Sequence, residues 1–207
     1  MSVADGRFDL LETMAFDPVD GIRLLELHLE RLRASATALD FAFDRHDVRN
    51  ELQAATFRLR ERSRLRLLVS RRGSTAIEVR EHRTWPNAIM QVALVSRNAG
   101  AHDPRLLHKT TDRSLYRDIL NRGGTYEVLI TDSEGFLTEG CFSSIFVERG
   151  DKLVTPPLSR GLLPGVLRRS LIEMGEAVEG DLRPSDLSKG FFIGNAARGM
   201  VAASLVK

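Results

Sequence analysis

The chain has 207 residues, room for one large domain or two small lobes, with 43% apolar and 28% charged side chains and a formal net charge of +2. That balance is ordinary for a soluble globular enzyme and too small to imply a nucleic-acid or membrane partner. The single Cys141 excludes an internal disulfide and points to a reducing, cytoplasmic setting, while charge or Pro interrupts every apolar stretch before the roughly 18 residues of a membrane span.

The opening MSVADGRFDLLETMAF lacks the basic segment and apolar run of a secretory signal. Its FDLLETMAF portion reads as a strand, followed by the turn DPVDG. Leu25, Leu29, Leu32, Ala36 and Leu39 then recur at helical spacing, one apolar stripe with Arg31 off it. A second helix begins near Asp44 or Asp47 and turns Val48 and Leu52 inward. RLRLLVSRRGSTAIEVREH reads as a hairpin turning at Arg72-Gly73-Ser74. A strand over Met90–Val95 runs into a loop at about 97–105, the expected boundary between a small N-terminal α/β lobe (1–98) and a larger C-terminal lobe (99–207).

Beyond the loop, Asp112 is a candidate N-cap for the helix RSLYRDILNR, stopped by Gly123-Gly124. YEVLITD, FLTEG, SSIFVER and KLVTPP read as short strands. A helix is expected to start at Pro164, where the missing N–H is harmless, with Leu167, Leu171 and Met174 on one face. PSDL leads to a last strand, GFFIGN, and to ARGMVAAS. The fold class is α/β of the α+β kind, two-lobed, with mainly antiparallel sheet.

Candidate chemistry is scattered along this chain. Lys109 is one of four lysines among 26 arginines. A lysine loses its proton when desolvated and can then serve as nucleophile or base, which arginine cannot; equally, it could be a solvated surface cation. Glu139 could sit against a cofactor's ring nitrogen or lie in a wet turn. Cys141 reads as a packing residue. Gly165 and Val166 open a helix whose free N–H groups attract phosphate, and Asn195 and Ala196 form a tight loop able to offer N–H donors. Arg31 could clamp a phosphate. The Arg-Leu alternation in RLRERSRLRLLVSRR carries no aromatics for base stacking and suits a strand with one polar face. The five histidines show no HExxH pattern, so no metal site is expected.

Together and in order, FDLLETMAF, HLERL, KTTDRSLY, FLTEGCFSSIFV, TPPLSRGLLPGVLRR and FFIGNAARGMV resemble the fold-type IV pyridoxal-phosphate enzymes, the family of branched-chain and D-amino-acid aminotransferases and 4-amino-4-deoxychorismate lyase. HKTTDRSLYRD and the Asn-Ala pair are most similar to the lyases. The resemblance implies pyridoxal 5'-phosphate as cofactor, Lys109 as its Schiff-base lysine and Glu139 as the partner of its ring nitrogen. It makes Arg31, Gly165, Val166, Asn195 and Ala196 the phosphate contacts, Thr13 a candidate for proton delivery, and Arg198 a candidate for a substrate carboxylate. It further implies a lyase of folate biosynthesis releasing pyruvate and 4-aminobenzoate, an active site between lobes in a homodimer, and room for an aminodeoxychorismate synthase partner. An amino-acid aminotransferase shares every cofactor contact. Members usually carry a further strand or two before the segment matching FDLLETM, so a non-catalytic binding subunit is a third reading.

Overall fold

The computed structural model describes residues 8–206. Two compact units emerge: residues up to Arg83 joined by His108–Arg113, and Thr84–Leu107 joined by Ser114 onward.

In the first unit, β1 (Leu10–Asp17), β2 (Gly21–Ile22), β3 (Ser63–Val69) and β4 (Thr75–Glu81) form an antiparallel sheet of order β2-β1-β3-β4. Strand alternation fixes its two faces. Leu10, Met14 and Phe16 of β1 meet Val69, Leu65 and Ser63 of β3, and their apolar members enter the core. The opposite face carries Thr13 beside Arg66 and Ala15 beside Arg64, as the Arg-Leu alternation predicts. Helices α1 (Leu25–Leu39) and α2 (Arg45–Thr56) cover the apolar face with Leu29, Leu32, Ala36, Val48 and Leu52. Asp44 caps α2 by accepting from His46 N and Asp47 N at 2.7 and 3.1 Å. Truncating the buried Leu32 to Ala would cost about 2–5 kcal/mol.

The second unit contains β5 (Ile89–Ser96), α3 (Pro104–Leu107), α4 (Ser114–Gly123), β6 (Glu127–Thr131), β7 (Leu137–Gly140), β8 (Ser144–Arg149), β9 (Lys152–Thr155), α5 (Val166–Glu173), β10 (Ala177–Glu179), β11 (Phe191–Asn195) and β12 (Gly199–Leu205). Its eight strands run in the order β10-β9-β8-β11-β12-β5-β6-β7. Antiparallel pairs predominate, with parallel joins at β10-β9, β12-β5 and β5-β6. β6 is buried along its whole length: Leu129 packs into one core, while Val128 and Ile130 pack with Tyr116 and Ile119 of α4 into another.

Several expectations need correcting. The division falls before β5 rather than at residue 98, because β5 hydrogen-bonds to β6 and β12 and so belongs wholly to the larger sheet. α4 begins at Ser114, two residues beyond Asp112. α5 begins at Val166 with Gly165 as N-cap, not at Pro164, and it ends at Glu173, so Met174 is 59% exposed rather than on the buried face. The tail ARGMVAAS supplies a full strand, β12.

Candidate active site

Lys109 belongs to a short segment that pairs with β1. Because β2 is two residues long, it pairs only with Phe16 and Asp17, and the rest of that edge of β1 remains open. Residues 109–111 fill it. Leu11 N donates to Lys109 O, Thr111 N to Asp9 O and Asp9 N to Thr111 Oγ1, each at 2.9 Å, with a bridge between Leu10 and Thr110. The lysine's backbone is therefore held as rigidly as a strand.

Beside this segment lies a buried charge cluster. Glu12, one residue after the Lys109 anchor, points from β1 into the interior at 1% exposure. Arg31 of α1 grips it with both edge donors, Nε to Oε1 at 2.8 Å and Nη2 to Oε2 at 2.6 Å. His28, one helical turn earlier, places Nδ1 2.7 Å from Oε2. Burial raises the carboxyl's pKa, but the charges of Arg31 and His28 and their hydrogen bonds outweigh it and hold Glu12 down at about 2. Desolvation, helped by Arg31 and Lys109, lowers the pKa of His28 against the pull of Glu12. A neutral ring facing a carboxylate must carry its proton on Nδ1, so Nε2 is a lone-pair acceptor; it is buried and unpartnered among the described residues.

Arg31 is therefore no solvated helix arginine. Its Nε and Nη2 edge is committed to Glu12. Thr13 has the opposite parity on β1 and lies on the other face of the sheet, so it is not brought to the Glu12–Arg31–His28 cluster.

In the second unit, Glu139 sits on β7 at 5% exposure, not in a wet turn. Tyr116 of α4 donates its hydroxyl to Oε1 at 2.6 Å, and Leu163 N donates to Oε2 at 3.2 Å. Arg97, 1% exposed, lies close by: desolvation lowers its pKa, and Glu139 is the foremost charge opposing that shift. Cys141 packs under Glu139 with Sγ 3.5 Å from Tyr116 O, as expected of a small apolar residue.

The two anion-site candidates belong to this unit as well. At Gly165, which has no side-chain cap, an added Cβ would come within 2.5 Å of Ser144 Oγ, so any larger residue there would force that hydroxyl to move. Val166 N opens α5 directly beyond it. In the loop after β11, Asn195 Oδ1 accepts from Ala197 N at 3.1 Å and Arg198 N at 2.9 Å, and Nδ2 donates to Phe142 O at 3.0 Å. The loop is thereby locked, with the Ala196 N–H outside that cap. Arg198 extends into a ring of aromatic side chains.

Sequence reading passed over Glu12, His28, Arg97, Tyr116 and Glu127. Glu127 is fully buried and accepts from Val128 N, Cys141 N, Phe142 N and Ser143 Oγ, fastening the turn that follows Glu139; burial pushes its pKa up to about 7 against those four donors. Only a charged residue inside an apolar strand, as in LLETM or YEVLIT, could have signalled Glu12 and Glu127. Among the described residues no cluster of His, Cys, Asp and Glu is disposed to hold a metal, and no helix is long and apolar enough to cross a membrane.

The family model for class IV amino-transferases matches residues 9–206. A "Putative aminodeoxychorismate lyase" of Schizosaccharomyces pombe is 28% identical over 192 residues, covering 88% of this chain and 82% of that one. The crystal structure of a "Putative amino-acid aminotransferase" from Mesorhizobium loti is 32% identical, with a TM-score of 0.88, over 96% of this chain and 100% of the other. A Mycobacterium tuberculosis aminotransferase, described as hypothetical and solved in a PLP-bound form, shares the fold at 20% identity, with a TM-score of 0.79 over 95% of this chain and 81% of the other.

Proposed function

The chain belongs to the class IV amino-transferase family of enzymes, and from that premise we propose that it is a pyridoxal 5'-phosphate enzyme eliminating pyruvate from 4-amino-4-deoxychorismate to give 4-aminobenzoate, a step of folate biosynthesis. The observation that supports the cofactor assignment is Glu139, a buried carboxylate fixed on both oxygens by Tyr116 and Leu163 N, the kind of rigid anion that suits a pyridinium nitrogen. The choice of reaction is supported by the Schizosaccharomyces pombe relative. The residues fit the group: an amine on a rigid segment at Lys109, an arginine fixed by its own carboxylate at Arg31, and N–H donors at Gly165, Val166, Asn195 and Ala196. Asn195 Oδ1 already organises its own loop, so the donors from that loop are backbone ones.

When bound, pyridoxal phosphate withdraws electrons from the carbon bearing the substrate's amine. Lys109 Nζ would hold the cofactor and, as a free amine, would take the proton from that carbon. Glu139 would face the ring nitrogen and favour its protonated form. Arg31, fixed by Glu12, would contact the phosphate, a role equally suited to the backbone donors at Gly165, Val166, Asn195 and Ala196. Thr13 lies on the outer face of β1 and is retained as a candidate for proton delivery to the leaving enolpyruvyl group. The same reading carries a homodimer and a synthase that supplies the aminated substrate.

The test is release of pyruvate from aminodeoxychorismate by purified, cofactor-loaded protein. An amino-acid aminotransferase is the second reading, supported by the Mesorhizobium loti structure. Glutamate formed from an amino acid and 2-oxoglutarate, without pyruvate release, would put that reading first.

A further inference from the structure

We propose that Arg198, held by Trp85, Tyr126 and Phe142, is an anchor for a substrate carboxylate carried on a flat, unsaturated frame. This deepens the lyase reading and rests on it only for the identity of the natural substrate.

The guanidinium carbon of Arg198 lies 5.3, 5.4 and 5.6 Å from the ring centroids of Trp85, Tyr126 and Phe142. Its Nη1 donates to the Tyr126 hydroxyl at 2.5 Å. The rings brace one another: Trp85 stacks on Phe142 at 5.9 Å and 20°, and Tyr126 meets Phe142 edge-on at 5.7 Å and 88°. The cage is also bolted to the Asn195 loop, since Trp85 Nε1 donates to Gly199 O at 3.1 Å and Asn195 Nδ2 to Phe142 O at 3.0 Å. A cation fixed on both backbone and side chain loses little freedom when it meets an anion.

The cage gives Arg198 aromatic faces and a hydroxyl but no anion among the described residues. Arg31, Arg45, Arg62, Arg105, Arg160 and Arg168 each pair with an Asp or Glu. Arg198 pairs with none among the described residues, and of its five N–H donors the cage uses one. Aromatic neighbours displace water from the faces of the guanidinium and leave its donor edge for a carboxylate, the geometry in which arginine binds bidentately. Tyr126 is 47% exposed, an aromatic face beside that edge on which a planar ligand can lie. A lone cation suits a single carboxylate better than a phosphate dianion.

Trp85 is the chain's single tryptophan, so its emission reports directly on the cage. The full chain is titrated with benzoate, benzamide and cyclohexanecarboxylate while that emission is followed, and benzoate binding is repeated by calorimetry. Benzoate should change the emission saturably, and Arg198→Gln should weaken it at least about tenfold, with Arg198→Lys intermediate because an ammonium cannot bind bidentately. Benzamide and cyclohexanecarboxylate should each bind more weakly than benzoate. In turnover, Arg198→Gln should raise KM by about tenfold or more with kcat nearly unchanged. Equal benzoate affinity in the native chain and both variants overturns the proposal, as does benzamide binding as well as benzoate. No turnover enters the titrations, so their failure is separate from failure of the lyase reading, which pyruvate release decides.

Discussion

Arg31 and Glu12 form a doubly hydrogen-bonded ion pair in the interior of the first unit, with His28 completing the shell around the carboxylate. A pair of this kind contributes little net stability, but breaking it leaves a buried charge uncompensated. Glu12→Gln should therefore destabilise the protein by about 3–5 kcal/mol in denaturant titration and weaken pyridoxal-phosphate binding, because Arg31 loses the partner that aims it. Unchanged cofactor affinity in a folded Glu12→Gln protein would show that Arg31 needs no such guide.

The same cluster sets an acid limit. Glu12 is held at about 2, below the ordinary carboxylate value of 4.5, so its contribution is complete above pH 4.5 and disappears as the pH falls toward 2. His28 is lowered from 6.5 and acts in the same direction: its contribution is present above 6.5 and is lost on acidification as the buried ring is forced to charge. In a Glu127→Gln background, which removes a titration of opposite sign between pH 4.5 and 7, stability measured from pH 7 to pH 3 should fall. His28→Phe should remove the upper part of that fall, and a fall of the same shape in His28→Phe would contradict the assignment.

Glu127 works with the opposite sign. Its folded pKa is raised from 4.5 to about 7, so the stability of the protonated form is present below 4.5 and is lost as the pH rises through 7. Glu127→Gln should flatten the stability profile between pH 4.5 and 7. An unaltered profile over that window would mean that its four donors keep the carboxylate ionised throughout.

Gly165→Ala should destabilise the protein by about 1–3 kcal/mol, since the new methyl would come within 2.5 Å of Ser144 Oγ. The backbone angles there, φ −59° and ψ 130°, suit alanine, so the penalty is contact and not conformation. Adding Ser144→Ala should restore most of the loss. A double variant as unstable as the single would place the strain elsewhere.

Much of the fold was legible because it is local. The stripe on α1, the β3–β4 hairpin and the Asp44 cap follow from spacing and turn chemistry. The unread parts depend on partners far along the chain. Trp85 reaches Gly199 across 114 positions, and β12 exists because β5 and β11 flank it, not because ARGMVAAS has a strong strand pattern of its own. Glu12 is hidden for a similar reason: in LLETM it looks like one polar residue among apolar ones, and only the return of α1 with His28 and Arg31 makes its burial affordable. Resemblance supplied Lys109 and Glu139, while Tyr116 and Arg97, which hold or face Glu139, gave no signal at all.

Glu139→Gln should retain cofactor affinity within about tenfold while reducing kcat by about 100-fold or more, because a neutral amide no longer keeps the ring nitrogen protonated. Normal turnover in this variant would remove Glu139 from its assigned role.

The most direct measurement is absorption of the protein loaded with pyridoxal phosphate, followed by borohydride reduction and peptide mapping. A visible band that reduction abolishes, with the label on the peptide containing Lys109 and absent from Lys109→Ala, is the predicted result. A protein that stays colourless, or a label on Lys152 or Lys189, would contradict the account.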